Sequence, residues 1–125
     1  MGKMIFEKTF DLNYPASVLF DACYDVISSI PRQELQIMSA ELQTIYALLH
    51  NYPPIQSIQN KHLWEKDTTV SIFIHVIPVT NQFSKLEISI ESFLVLFRNT
   101  NHLTGSGQLT LAFFMDSLLK VLENK

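Results

Sequence analysis

The chain has 125 residues, about one domain's worth and too few for a second independent core. Its composition is 47% hydrophobic and 17% charged, against about 25% charged in an average soluble domain, which leaves few residues to coat a surface. Nine Lys and Arg against twelve Asp and Glu give a net charge of -3 with no basic run, so no nucleic-acid partner is expected.

Nine Phe, four Tyr and one Trp supply ample apolar area to offset ordering entropy, which excludes a disordered chain. The opening MGKMIFEKTF alternates apolar and polar residues and lacks the hydrophobic core of a signal peptide. The most apolar run, Leu109 to Met115, is far short of the roughly 20 residues that span a bilayer. The single cysteine, Cys23, can form no internal disulfide and offers only one zinc ligand. A soluble, cytoplasmic single domain over residues 1–125 is expected, with no membrane span.

From Met4 to Leu12 the apolar residues Met4, Phe6, Phe10 and Leu12 recur at a period of two, which predicts a strand, and Lys8 in that row marks an edge. Asn13-Tyr14-Pro15 then provides a cap and a first-turn proline. Val18, Leu19, Ala22, Cys23, Val26, Ile27 and Ile30 define the apolar face of a helix that Pro31 ends. Arg32 to His50 reads locally as a helix, with Leu35, Met38, Leu42, Ile45 and Leu49 at a 3-4-3-4 spacing. It also reads as a hairpin, Glu34–Met38 and Gln43–Leu49 around a Ser39-Ala40-Glu41 turn that has no glycine.

Tyr52-Pro53-Pro54 predicts a loop over Asn51 to Gln59. Thr68 to Val79 alternates cleanly as a strand, and its hairpin partner runs from Lys85 to Phe97 across a Thr80–Ser84 loop. Arg98 to Gly107 predicts a surface loop, and Ser106 caps a last helix to about Leu122. That helix carries an apolar stripe of Leu111, Met115, Leu118, Leu119 and Leu122, with Phe113 in the middle of its polar side.

These elements, with FDLNYPASVLFDA (Phe10 to Ala22), LQIMSAELQTIYA (Leu35 to Ala47), WEKDTTVSIFIHVIP (Trp64 to Pro78) and LEISIES (Leu86 to Ser92), resemble the START-like, or helix-grip, superfamily in a shortened form. The likeness covers nearly the whole chain and is one of pattern, without a catalytic signature. It implies an α+β fold in which an antiparallel sheet of about five strands packs against an N-terminal and a C-terminal helix, in the order β-α-β-β-β-β-α. It also implies the hairpin over Arg32 to His50; the alternative is a second helix at 32–49 with a four-stranded sheet.

No constellation for catalysis stands out, and no cofactor is expected. HxH, HxxxH and CxxC spacings are absent, so His50, His62, His75 and His102 form no zinc motif. His75 is placed opposite Glu87 or Ser89 on one sheet face, as an exposed polar pair. Cys23 sits on the apolar helix face as a buried hydrophobe. Gly105-Ser106-Gly107 lacks the pattern and the lysine of a phosphate loop and is an ordinary cap. Trp64 with Phe73 could line a ligand pocket or stack a base, and core or sheet-edge packing is the plainer reading of the two together.

Two functions follow. The first is a non-enzymatic protein-interaction domain, self-associating as a homo-oligomer or docking another protein, with Phe73, His75, Ile77 and Phe113 as the candidate interface on faces periodicity assigns to solvent. The second, which the family's larger members imply, holds an apolar small molecule between sheet and last helix, in a candidate pocket of Ile72, Ile74, Ile88, Ile90, Met115 and Leu119.

Overall fold

The computed structural model describes residues 3–50, 69–93 and 100–124, with side chains described except at 3–4, 92–93 and 100–109. The Asn51–Gln59 loop, Trp64, His62 and the end of the strand expected to reach Phe97 lie outside the described residues. The elements run β1 (Lys3–Leu12), α1 (Ala16–Ser28), β2 (Leu35–Glu41), β3 (Thr44–His50), β4 (Thr69–Thr80), β5 (Phe83–Phe93) and α2 (Thr100–Glu123). The five strands form one antiparallel sheet in the order β1-β5-β4-β3-β2.

Alternation decides which side chains enter the core. Ile45, Ala47 and Leu49 on β3, Val70, Ile72, Ile74 and Val76 on β4, and Leu86, Ile88 and Ile90 on β5 share the inner face and are all buried. Against them pack Leu19, Ala22, Cys23, Val26 and Ile27 from α1, and Leu111, Phe114, Leu118 and Leu122 from α2. α2 lies over β1, β5 and α1, while α1 also faces β2, β3 and β4. β1 is an edge strand, as Lys8 signalled.

Arg32 to His50 is a hairpin, not a helix, because cross-strand pairing lets Ile45, Ala47 and Leu49 be buried together at a period of two. Its turn begins three residues later than the sequence predicts. Leu42 and Gln43 form it, with Leu42 at φ 54, while Ser39-Ala40-Glu41 continue the strand. The Thr44 hydroxyl donates to the Glu41 carbonyl at 2.7 Å and pins the connection.

The helix ends differ from expectation in detail. Pro15 is itself the cap of α1, with no side-chain cap bond, and Leu19 N–H donates to its carbonyl at 3.0 Å. α2 begins at Thr100, so Gly105-Ser106-Gly107 lie within its first turns and form no capping loop. Its buried stripe is Thr110, Leu111, Phe114, Leu118 and Leu122. Phe114 therefore takes the central place assigned from periodicity to Met115 and Leu119. Apolar residues occupy most sides of this helix, so only its packing against α1 and β5 selects the inward face.

Candidate functional site

The outer face of the sheet carries what the sequence left unplaced. The register lays its side chains in rows across the five strands. One row reads Ser39, Tyr46, Phe73, Ser89, Glu7; the next reads Glu41, Thr44, His75, Glu87, Thr9. Beside the first lies Ile37, Leu48, Ser71, Glu91, Ile5, and beyond the second Ile77, Lys85, Asp11. Tyr46 and Phe73 are thus direct cross-strand partners, and they remain 37% and 47% exposed. An aromatic pair on a sheet surface gains from its own contact but leaves much of both rings in water.

Ser89 is short and stands between Phe73 and Glu7, so the surface dips there. A groove of about 210 Å³ follows, lined by Glu7, Thr9, Phe73, His75, Glu87 and Ser89. Lys8 and Ile88 complete the lining and alternate to the opposite face of the sheet. Across it His75 Nδ1 lies 3.4 Å from Glu87 Oε1, the pairing that the hairpin register implies.

Of the predicted interface residues, Phe73, His75 and Ile77 come together on the outer side of β4. Phe113 does not join them. It is half-buried, lining with Val26, Ile30, Pro31 and Ser117 a groove of about 240 Å³ between α1 and α2, so the solvent position that periodicity gave it is corrected. Ile72 pairs with Ile90 and Ile74 with Ile88 on the inner face, where all four belong to the core. Met115 is half-buried beside them, whereas Leu119 is 44% exposed and turns away from the sheet, so it cannot line an interior pocket there.

Sequence reading missed Tyr46 and Glu7, and named Ser89 only as a possible partner of His75. Tyr46 was within reach, since it alternates with Ile45 and Ala47 once the hairpin is granted; the β4–β5 register sets Ser89 opposite Phe73, and Glu7 required the register of β1 on β5.

Among the described residues no catalytic set assembles. Burial pushes the Cys23 thiol up to about 12, so the thiolate that a nucleophile needs is not formed near neutrality. Among the described residues no group of three His, Cys, Asp or Glu could hold a metal ion, and no helix is long and apolar enough to cross a membrane.

No family model matches the chain, and no curated protein matches its sequence. Solved structures do. Ara h 8.0201 is similar over 98% of this chain and 99% of its own, at 15% identity and a TM-score of 0.57. A conserved protein from Geobacillus kaustophilus matches over 96% of both chains at 9% identity and a TM-score of 0.54. The di-domain ARO/CYC BexL from the BE-7585A biosynthetic pathway matches over 94% of this chain and 45% of its own, at 12% identity and a TM-score of 0.51. The chain therefore has the helix-grip, START-like fold, as its pattern of elements implied.

Proposed function

We propose that the protein is a non-enzymatic interaction domain that docks a partner polypeptide on the outer face of its sheet. The Tyr46–Phe73 pair carries this reading: two large aromatic side chains, side by side and each more than a third exposed, at the centre of a face bordered by Ile37, Ile5 and Ile77. An interface of standard size, about 800 Å² per partner, would cover such a face. A second copy of the chain is the occupant that symmetry favours, but two faces each carrying Glu7, Asp11, Glu41, Glu87 and Glu91 against Lys85 repel one another at low salt. A cytoplasmic setting fits the free, buried Cys23.

A photo-crosslinking residue at position 73 tests the reading in the cells that make the protein. A covalent protein adduct from position 73, absent when the residue is placed at Leu119, is the expected result; twice the chain mass identifies a homodimer. No adduct from position 73 overturns the reading.

A second reading has its own observation. The Ile72–Ile90 and Ile74–Ile88 pairs present a continuous apolar inner face to the helices, in a fold shared with an ARO/CYC protein of a biosynthetic pathway. An apolar small molecule between sheet and α2 is the ligand this predicts. A lack of thermal shift with fatty acids, sterols and flavonoids, with native mass spectra free of ligand, would sink it.

A further inference from the structure

The groove beside Phe73 is not merely an apolar spot. Neighbouring strands lie about 4.8 Å apart, so the Cα atoms of Phe73 and Glu7 stand roughly 10 Å apart across the small Ser89. One wall is an exposed aromatic ring and the other a carboxylate; Glu87, one row along, adds a second carboxylate over the same floor. An aromatic face attracts a cation through its quadrupole, and carboxylates hold the same cation by charge-assisted hydrogen bonds. The surrounding rows strengthen the bias: Glu91 lies on one side, and on the other Lys85 stands directly opposite Asp11.

We propose that this groove receives a Lys or Arg side chain of the docked polypeptide, the alkyl stem on Phe73 and the cationic head between Glu7 and Glu87. The inference rests on the interaction reading and names the partner's chemistry: a segment with a cation flanked by apolar residues. Charge complementarity selects that occupant over a second copy, whose matching face is acidic. The ring of Phe73 and the adjoining Tyr46 receive the apolar flanks.

The probe is the peptide acetyl-GLRLG-amide, compared with the same peptide carrying uncharged citrulline for arginine, each titrated into the full chain while backbone amide resonances are followed. The arginine peptide shifts the amides of Glu7, Phe73, Glu87 and Ser89 and binds about fivefold tighter than the citrulline peptide at about 20 mM salt, with the gap closing at about 500 mM. The double variant Glu7→Gln, Glu87→Gln removes the gap, Phe73→Leu narrows it, and Glu123→Gln, an exposed carboxylate at the end of α2, leaves it unchanged. Exposure of these side chains keeps each variant folded, which circular dichroism checks. Equal binding of the two peptides at these amides overturns the cation site while leaving an apolar docking face standing. Failure of both peptides to move these amides, or an unchanged gap in the double variant, overturns it as well.

Discussion

His75 on β4 and Glu87 on β5 face each other across the outer side of the sheet, Nδ1 to Oε1 at 3.4 Å. Both side chains are about half exposed, so water screens the pair and its contribution to stability is small. Its interest is positional, since both side chains line the groove beside Phe73.

That separation of position from stability is measurable. His75→Ala and Glu87→Gln should each shift the urea-unfolding free energy by less than about 0.5 kcal/mol, and the double-mutant cycle should give a coupling of the same size. A coupling several times larger would mean the pair is structural.

Cys23 predicts a pH dependence with a definite sign. Burial raises the folded-state pKa from 9.0 to about 12, so between those values the unfolded chain releases a proton that the folded chain keeps. Stability from this group is complete below about pH 9 and falls as pH rises toward 12, by up to roughly 1.4 kcal/mol per pH unit. Comparing urea midpoints of the native chain and Cys23→Ala from pH 8 to 10.5 isolates the slope, because other titrations cancel. In the folded state the thiol should resist alkylation at pH 8 and react once urea unfolds the chain.

Leu42 stores local strain. It is 89% exposed and holds φ at 54°, a conformation in which its Cβ crowds the backbone and gains no packing in return. Leu42→Gly should stabilise the hairpin by about 1 kcal/mol, whereas Leu42→Ala, which keeps the Cβ, should change little. Thermal unfolding of the three proteins checks the order.

Two adjacent phenylalanines on α2 should behave differently. Phe114 is wholly buried between helices and sheet, and Phe114→Ala should cost about 3–5 kcal/mol. Phe113 is half-buried at the open groove between α1 and α2, and Phe113→Ala should cost less than half as much. Equal losses would contradict the orientation of α2.

Ser84 ties the sheet to the corner before α1. Its hydroxyl donates to the Tyr14 carbonyl at 2.9 Å, and the residue is fully buried. Ser84→Ala removes that hydrogen bond and should cost about 1 kcal/mol, read from urea unfolding with no change in far-UV circular dichroism.

How much of this was legible depends on how local each signal is. The strand at Met4 to Leu12, the first helix, the Thr68–Val79 strand with its hairpin and the outward position of His75 all follow from periods of two or 3.6 within one segment. The Arg32–His50 hairpin was not legible locally, because a stretch rich in Gln, Glu, Leu and Met satisfies the helical spacing equally well. It required the pattern of the whole chain, and even then the turn was misplaced: no glycine marks it, and Leu42 takes the strained position instead.

By itself the sequence determined the apolar surplus, the inward rows of β4 and β5, and the absence of a local catalytic or metal motif, since composition and alternation belong to the chain before it folds. Tertiary structure alone decided where the surplus ends up. Packing of α2 on α1 and β1 buried Phe114, half-covered Phe113 and left Leu119 outside, a choice among faces that a helix apolar on most sides cannot make. Strand register, set by pairing between segments far apart in the chain, put Tyr46 beside Phe73 and Glu7 across Ser89, and so made a groove from residues that no spacing in the sequence connects.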